Sequence, residues 1–157
     1  MNTRISSGLR TLFLVHFIIG LIFGLLVLLI PETFFGFLSW PVKEPAVYRL
    51  SGAAVLGFSA SSWFCYKAAN WDQVRNVVLA ELVWAPLGAL VNLWGLLSGE
   101  FPATGWINFV ILGGFAIAFW IYYNRHAATA EAKVPEPKAP APKAPARKAA
   151  RRGRARR

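Results

Sequence analysis

Glu81 and His16 are the residues from which chemistry could start. Both fall inside long apolar runs, where a titratable side chain is costly. An acid at the centre of a membrane helix costs roughly 3 kcal/mol or more without a partner, so it marks a functional position by default. His16 stands six residues from Arg10, and Glu81 six from Arg75. Each is therefore about 9 Å inside the same boundary of an apolar layer. Ser61, six residues from Lys67, reaches that depth on a third run. The expectation is an intramembrane polar layer of His16, Ser61 and Glu81. The first and last of these would share one proton or form an ion pair. The plainer alternative is that Glu81 hydrogen-bonds across helices as structural glue. Arg49, Asn92 and Asn108 are expected to form a second, outer polar layer.

The remaining chemistry is sparse. A single cysteine, Cys65, excludes an internal disulfide and any multi-cysteine metal site. It is expected to be a small apolar filler near a helix end. Two histidines, His16 and His126, do not make a metal site without several converging carboxylates. No catalytic, cofactor-binding or metal-ligating set is expected, and the chain reads as a non-enzymatic protein.

The elements that must position these residues are apolar helices. The 157 residues are 56% hydrophobic and only 15% charged, against about a quarter charged in soluble domains. Thr11–Ile30 is long enough to cross about 30 Å of hydrocarbon. Pro31-Glu32-Thr33 after it is no small-residue cleavage site, which argues against a signal peptide. Further spans are expected at 50–66, 74–97 and 105–123. The predicted fold is all-α, a bundle of four transmembrane helices over residues 1–126. Thr33–Trp40, bracketed by Pro31 and Pro41, is too short to span and reads as a short helix or turn at the outer surface. Asn70 with Gln73 three residues on predicts an N-cap for the third span, and Pro86 predicts a kink within it.

Small residues mark the expected contact faces, because close backbone approach substitutes in lipid for a hydrophobic driving force. They recur as Gly20-x-x-x-Gly24 in the first span, Ala53-x-x-x-Gly57-x-x-x-Ser61 in the second, and Gly113 beside Gly114 in the fourth. In the third span Glu81, Ala85, Gly88, Asn92, Gly95 and Gly99 share one face at 100° per residue. That face is expected to point inward.

Charge is segregated. Of 17 Lys and Arg, 11 lie in the last 33 residues with only two acids. Residues 127–157 are expected to be a disordered tail rich in Ala, Pro, Lys and Arg, with Val134 as its one aliphatic side chain larger than alanine and so no core to bury. Its cations, notably Arg147, Lys148, Arg151, Arg152, Arg154, Arg156 and Arg157, would bind anionic lipid or, non-specifically, nucleic acid. Arg4, Arg10, Lys67, Arg75 and the tail fall on one side. The positive-inside rule therefore predicts a multi-pass protein of the plasma or inner membrane with both termini cytoplasmic.

The segment Arg49-Leu50-Ser51-Gly52-Ala53-Ala54-Val55-Leu56-Gly57 is a basic residue leading a Gly/Ala-rich second helix after a proline-bounded outer loop. In this, residues 8–125 resemble small four-helix membrane proteins of the DoxX-like kind. The resemblance implies a link to quinol oxidase subunits and membrane redox complexes. Three functions are expected in this order. The first is a non-enzymatic subunit or scaffold, in a homo-oligomer or larger membrane complex, tethered by its tail to anionic lipid or a cytoplasmic partner. The others are a proton-coupled small-solute transporter using Glu81 and an accessory subunit of a redox complex. A water-filled cavity reaching Glu81 would favour the transporter, and a tightly filled bundle the scaffold.

Overall fold

The computed structural model describes residues 4–131, and these form five helices: α1 (Ser7–Leu29), α2 (Pro31–Phe37), α3 (Pro45–Lys67), α4 (Trp71–Leu97) and α5 (Gly105–Glu131). Among the described residues the fold is all-α. Three helices are long and apolar enough to cross a membrane: α1, α4 and the Gly105–His126 part of α5. Their outward side chains agree with that environment. Ile22, Leu29, Leu90, Val91, Trp94, Val110 and Ile117 are all more than half exposed, the kind of apolar surface that marks contact with a membrane or a partner.

Local signals set the helix ends. Ser6 caps α1, its Oγ accepting from the Leu9 N–H. Pro31 and Pro45 open α2 and α3, where a missing N–H costs nothing. Gln73 Oε1 accepts from the N–H groups of Asn70 and Ala69 at the start of α4. Gly99 at φ +75° ends the turn after that helix, a conformation that glycine adopts without strain. Pro86 lies inside α4, which the structure assigns as one helix from Trp71 to Leu97. α5 runs past His126 to Glu131, so the helix continues five residues beyond the expected start of the tail.

The helices associate as two antiparallel pairs, α1 with α3 and α4 with α5, with far fewer contacts between the pairs. In the first pair the backbones nearly touch. A Cβ on Gly52 would lie 2.6 Å from the Leu28 nitrogen and 3.0 Å from the Gly24 oxygen, and one on Gly20 would lie 3.2 Å from Ser59 Cβ. The expected Gly20/Gly24 face of α1 is thus a contact face. The expected stripe on α3 is not. Ala53 and Gly57 are exposed, a Cβ on Gly57 would meet nothing within 4 Å, and the buried face is Gly52, Ser59, Ser62 and Cys65. Both stripes are rich in small residues, and adjacent positions differ by about 100° around the axis, so spacing alone did not choose between them. Gly113 and Gly114 likewise meet nothing.

The pairs converge at the end where α3 leads into α4. There Leu9, Phe13, Cys65, Trp71, Val74, Val78, Phe115 and Phe119 pack into one core. The α3 glycines supply a test. Gly52→Ala pushes against backbone that has no room to give and should destabilise by about 1–3 kcal/mol. Gly57→Ala should be neutral or stabilising by up to about 1 kcal/mol through helix propensity. Thermal unfolding of both variants in detergent checks this, and equal effects would remove the assigned crossing.

Candidate functional site

Toward the other end the pairs diverge around a cavity of about 540 Å³, within the range of small-molecule sites, roughly 300–1,000 Å³. Its end at the α2–α3 loop and the α4–α5 turn is roofed by contacts between the pairs. Trp40 from the α2–α3 loop packs on Phe101 from the α4–α5 turn with ring centroids 4.5 Å apart, and Thr104 Oγ1 donates to the Leu38 carbonyl. On the α3–α4 side Phe58 stacks on Trp84 at 5.4 Å. The lining also includes Ile19, Val91, Ile107 and Ile111, each more than a third exposed. The cavity therefore opens through the apolar surface of the bundle between the pairs.

His16 lines this cavity away from the roof. Its ring meets Phe115 and Phe119 edge-on at 4.7 and 5.8 Å. Nδ1 is 2.7 Å from Ser62 Oγ, and Nε2 is 3.6 Å from Glu81 Oε2. Glu81 is fully buried, and neither of its carboxyl oxygens has a hydrogen bond among the described residues. The contact with His16 is the ion-pair-range approach that the carboxyl makes. A histidine and a glutamate holding one proton between them are net neutral, whichever carries it. Adding or removing that proton leaves a net charge beside the fully buried Glu81, where it is poorly tolerated.

Two of the three expected members of this layer thus come together, and the third is corrected. Ser61 Oγ turns back to the Phe58 carbonyl of its own helix, and the serine on His16 is Ser62. Ser59, on the same face, donates to the Phe17 carbonyl across the pair at 2.8 Å. A counted depth is good to a few residues, and one residue on a helix changes the face. The signal for the right serine is that Ser59 and Ser62, three apart, continue the line of Gly52 and Cys65.

The outer layer also divides. Asn92 and Asn108 meet, with Asn108 Nδ2 donating to Asn92 Oδ1 at 3.0 Å, while Asn92 Nδ2 donates to the Gly88 carbonyl at 2.8 Å. This order is dictated chemically. A backbone carbonyl only accepts, so Asn92 must offer it the amide nitrogen and turn its oxygen to Asn108. Asn108 must then offer its nitrogen, which leaves its own Oδ1 and the second N–H of its amide as the free end of the relay. Arg49 is elsewhere, 3.2 Å from both oxygens of a half-exposed Glu32. An arginine at a helix end extends toward water and forms a surface pair of small energetic value. Of the small-residue face on α4, Glu81, Ala85, Asn92 and Gly95 are buried, whereas Gly99 belongs to the turn.

Cys65 is buried in the core. His126 also is buried, stacked on Trp71 at 4.7 Å and 8°, with Nε2 3.4 Å from Ser6 Oγ. It ties the start of α1 to α4 and α5, a role that sequence spacing did not announce. Among the described residues no group of three or more His, Cys, Asp or Glu could hold a metal ion. Arg147, Lys148, Arg151, Arg152, Arg154, Arg156 and Arg157, with the expected disorder of the tail, lie outside the described residues.

The site and fold together define an all-helical protein with membrane-capable helices and a lateral cavity ended by a buried titratable pair. No family model, curated protein or solved structure matches the chain.

The coupling of the pair is measurable. Glu81→Gln and His16→Ala should each destabilise by about 1–3 kcal/mol, and the double variant should lose less than their sum by about 0.5–2 kcal/mol. Unfolding of all four proteins in one detergent reads this directly, and strictly additive losses would show that the two side chains do not interact.

Proposed function

We propose that the chain is a four-span membrane protein that draws a small lipophilic molecule from the bilayer into its cavity and couples binding to proton exchange at His16–Glu81, as a proton-coupled carrier does. The observation that carries this is the shared position of His16: one face lines the cavity and one nitrogen meets Glu81. An occupant that touches His16 alters its hydrogen bonding, and with it the energy of the one-proton state. A proton moved to or from the pair alters the surface that the occupant meets. That reciprocity is all that thermodynamic coupling requires. The cavity lowers the standing of a pure scaffold, whose bundle would be filled.

The fourth span is α3. It falls short of the other three in hydropathy, but its 23 residues would reach about 34 Å. Its polar content is accommodated: Ser51, Ser59, Ser61 and Ser62 all have hydrogen-bond partners. Four spans place both termini on one side, and the basic residues Arg4, Arg10, Lys67 and Arg75 make that side the cytoplasm of a plasma or inner membrane. The DoxX-like pattern of Arg49–Gly57 supports the same count of helices. The basic tail adds a tether to anionic lipid, and the whole works in a homo-oligomer or larger membrane complex.

Reporter fusions after Tyr66 and Arg125 should then report the cytoplasm, and fusions after Pro41 and Glu100 the outside. Any reversal would overturn the four-span arrangement. Occupancy is read separately with a fluorinated alkylbenzene in nanodiscs by ¹⁹F saturation transfer. Binding should saturate, vary with pH in the parent, lose its pH dependence in Glu81→Gln, and disappear when Ile111→Trp fills the cavity. A signal that persists unchanged in Ile111→Trp would place the probe in lipid and sink the carrier reading.

A further inference from the structure

We propose that the cavity selects lipophilic molecules that carry a hydroxyl group, and that Asn108 Oδ1 accepts the hydroxyl proton. The inference rests on the reading of the cavity as a solute site and names the chemistry that site would recognise. It follows from the direction of the amide relay. The Gly88 carbonyl holds Asn92 in one orientation, and Asn92 holds Asn108 in one orientation, so Asn108 keeps its oxygen as an acceptor beside the second N–H of its amide, a combination that a hydroxyl can meet as donor and acceptor. Asn108 lines the cavity. Among the described residues its oxygen has no hydrogen-bond partner, although in hydrocarbon there is no solvent to supply one. A hydrocarbon or ether occupant leaves this acceptor unmet, whereas an alcohol or phenol satisfies it.

The rest of the cavity fits the rest of such a molecule. The walls are apolar and rich in aromatic rings, among them Phe23, Phe58, Trp84 and Phe115, which suit a ring or alkyl chain. The opening beside Val91, Ile107 and Ile111 faces the hydrocarbon layer, and Asn108 lines the same cavity, about 60° around the helix from Ile111. A membrane-dissolved alcohol thus meets the acceptor as it enters. A charged head group finds no counter-charge in the wall, because among the described residues no Asp, Glu, Lys or Arg lines the cavity.

The test compares 4-octylphenol with its methyl ether, a pair matched in shape and differing in one donated hydrogen bond. Binding of each to the full chain in nanodiscs is measured, alongside the Asn92→Leu/Asn108→Leu double variant. Replacing both amides together by apolar groups of similar size leaves no half-satisfied partner and is the change the bundle tolerates best. The parent should bind the phenol about tenfold more tightly than the ether, and the double variant should bind both within about twofold of each other. Equal binding of the two probes by the parent would overturn the hydroxyl preference while leaving the cavity a lipophilic site. A preference that survives in the double variant would assign the hydroxyl to another group and overturn the role of Asn108. Saturable binding of neither probe, while the fluorinated alkylbenzene still binds, would overturn the inference alone. Loss of all three would overturn the carrier reading with it.

Discussion

Gly52 leaves no space for a side chain against the backbone of Gly24 and Leu28, and the rest of the bundle follows from that crossing. With the two backbones this close, the register of α1 against α3 is set over their whole length. Ser59 then lies under the Phe17 carbonyl and Ser62 under the His16 ring. Without the small residues the axes would stand farther apart and neither hydroxyl would reach. In a lipid setting, where apolar association gains nothing over lipid contact, backbone approach of this kind supplies the dispersion energy that holds helices together.

The second pair is joined differently. Between α4 and α5 the contacts are side-chain ones, with Leu112 against Gly88, the amide pair Asn92–Asn108, and Trp71 against Tyr123 and His126. Bulky rings at one end draw the two pairs together, and the aromatic roof of Trp40 and Phe101 spans them at the other. The cavity is the space between these two points of attachment. Its existence thus depends on the uneven distribution of large and small residues along the helices rather than on any single lining residue.

Polar groups in such an interior are bonded because nothing else can satisfy them. The serines of α3 bond to α1 or to their own helix, and Asn92 bonds at both ends of its amide. Glu81 and the oxygen of Asn108 depart from that pattern. One lies directly behind the cavity wall and the other on it. Groups left unsatisfied at a cost persist where a site uses them, which is the common ground of the proton coupling and the ligand preference proposed for this protein.

The sequence by itself determined the helical class, the positions of the long apolar segments, the short apolar and aromatic piece between prolines, and the pairing of His16 with Glu81. These depend on one-dimensional quantities: apolar run length, and distance along the axis from a charged boundary, both of which survive an error of a residue or two. What depends on angle about the axis was decided by tertiary structure. Ser62 rather than Ser61 meets His16, Gly52 rather than Gly57 makes the crossing, and Arg49 turns to Glu32 rather than inward. A single residue rotates a helix face by about 100°, and α3 carries small or polar residues on several faces, so its own periodicity left the choice open. The cavity was still less legible. It is a volume between two helix pairs, set by how far apart their packing holds them, and no local pattern in either pair encodes that separation.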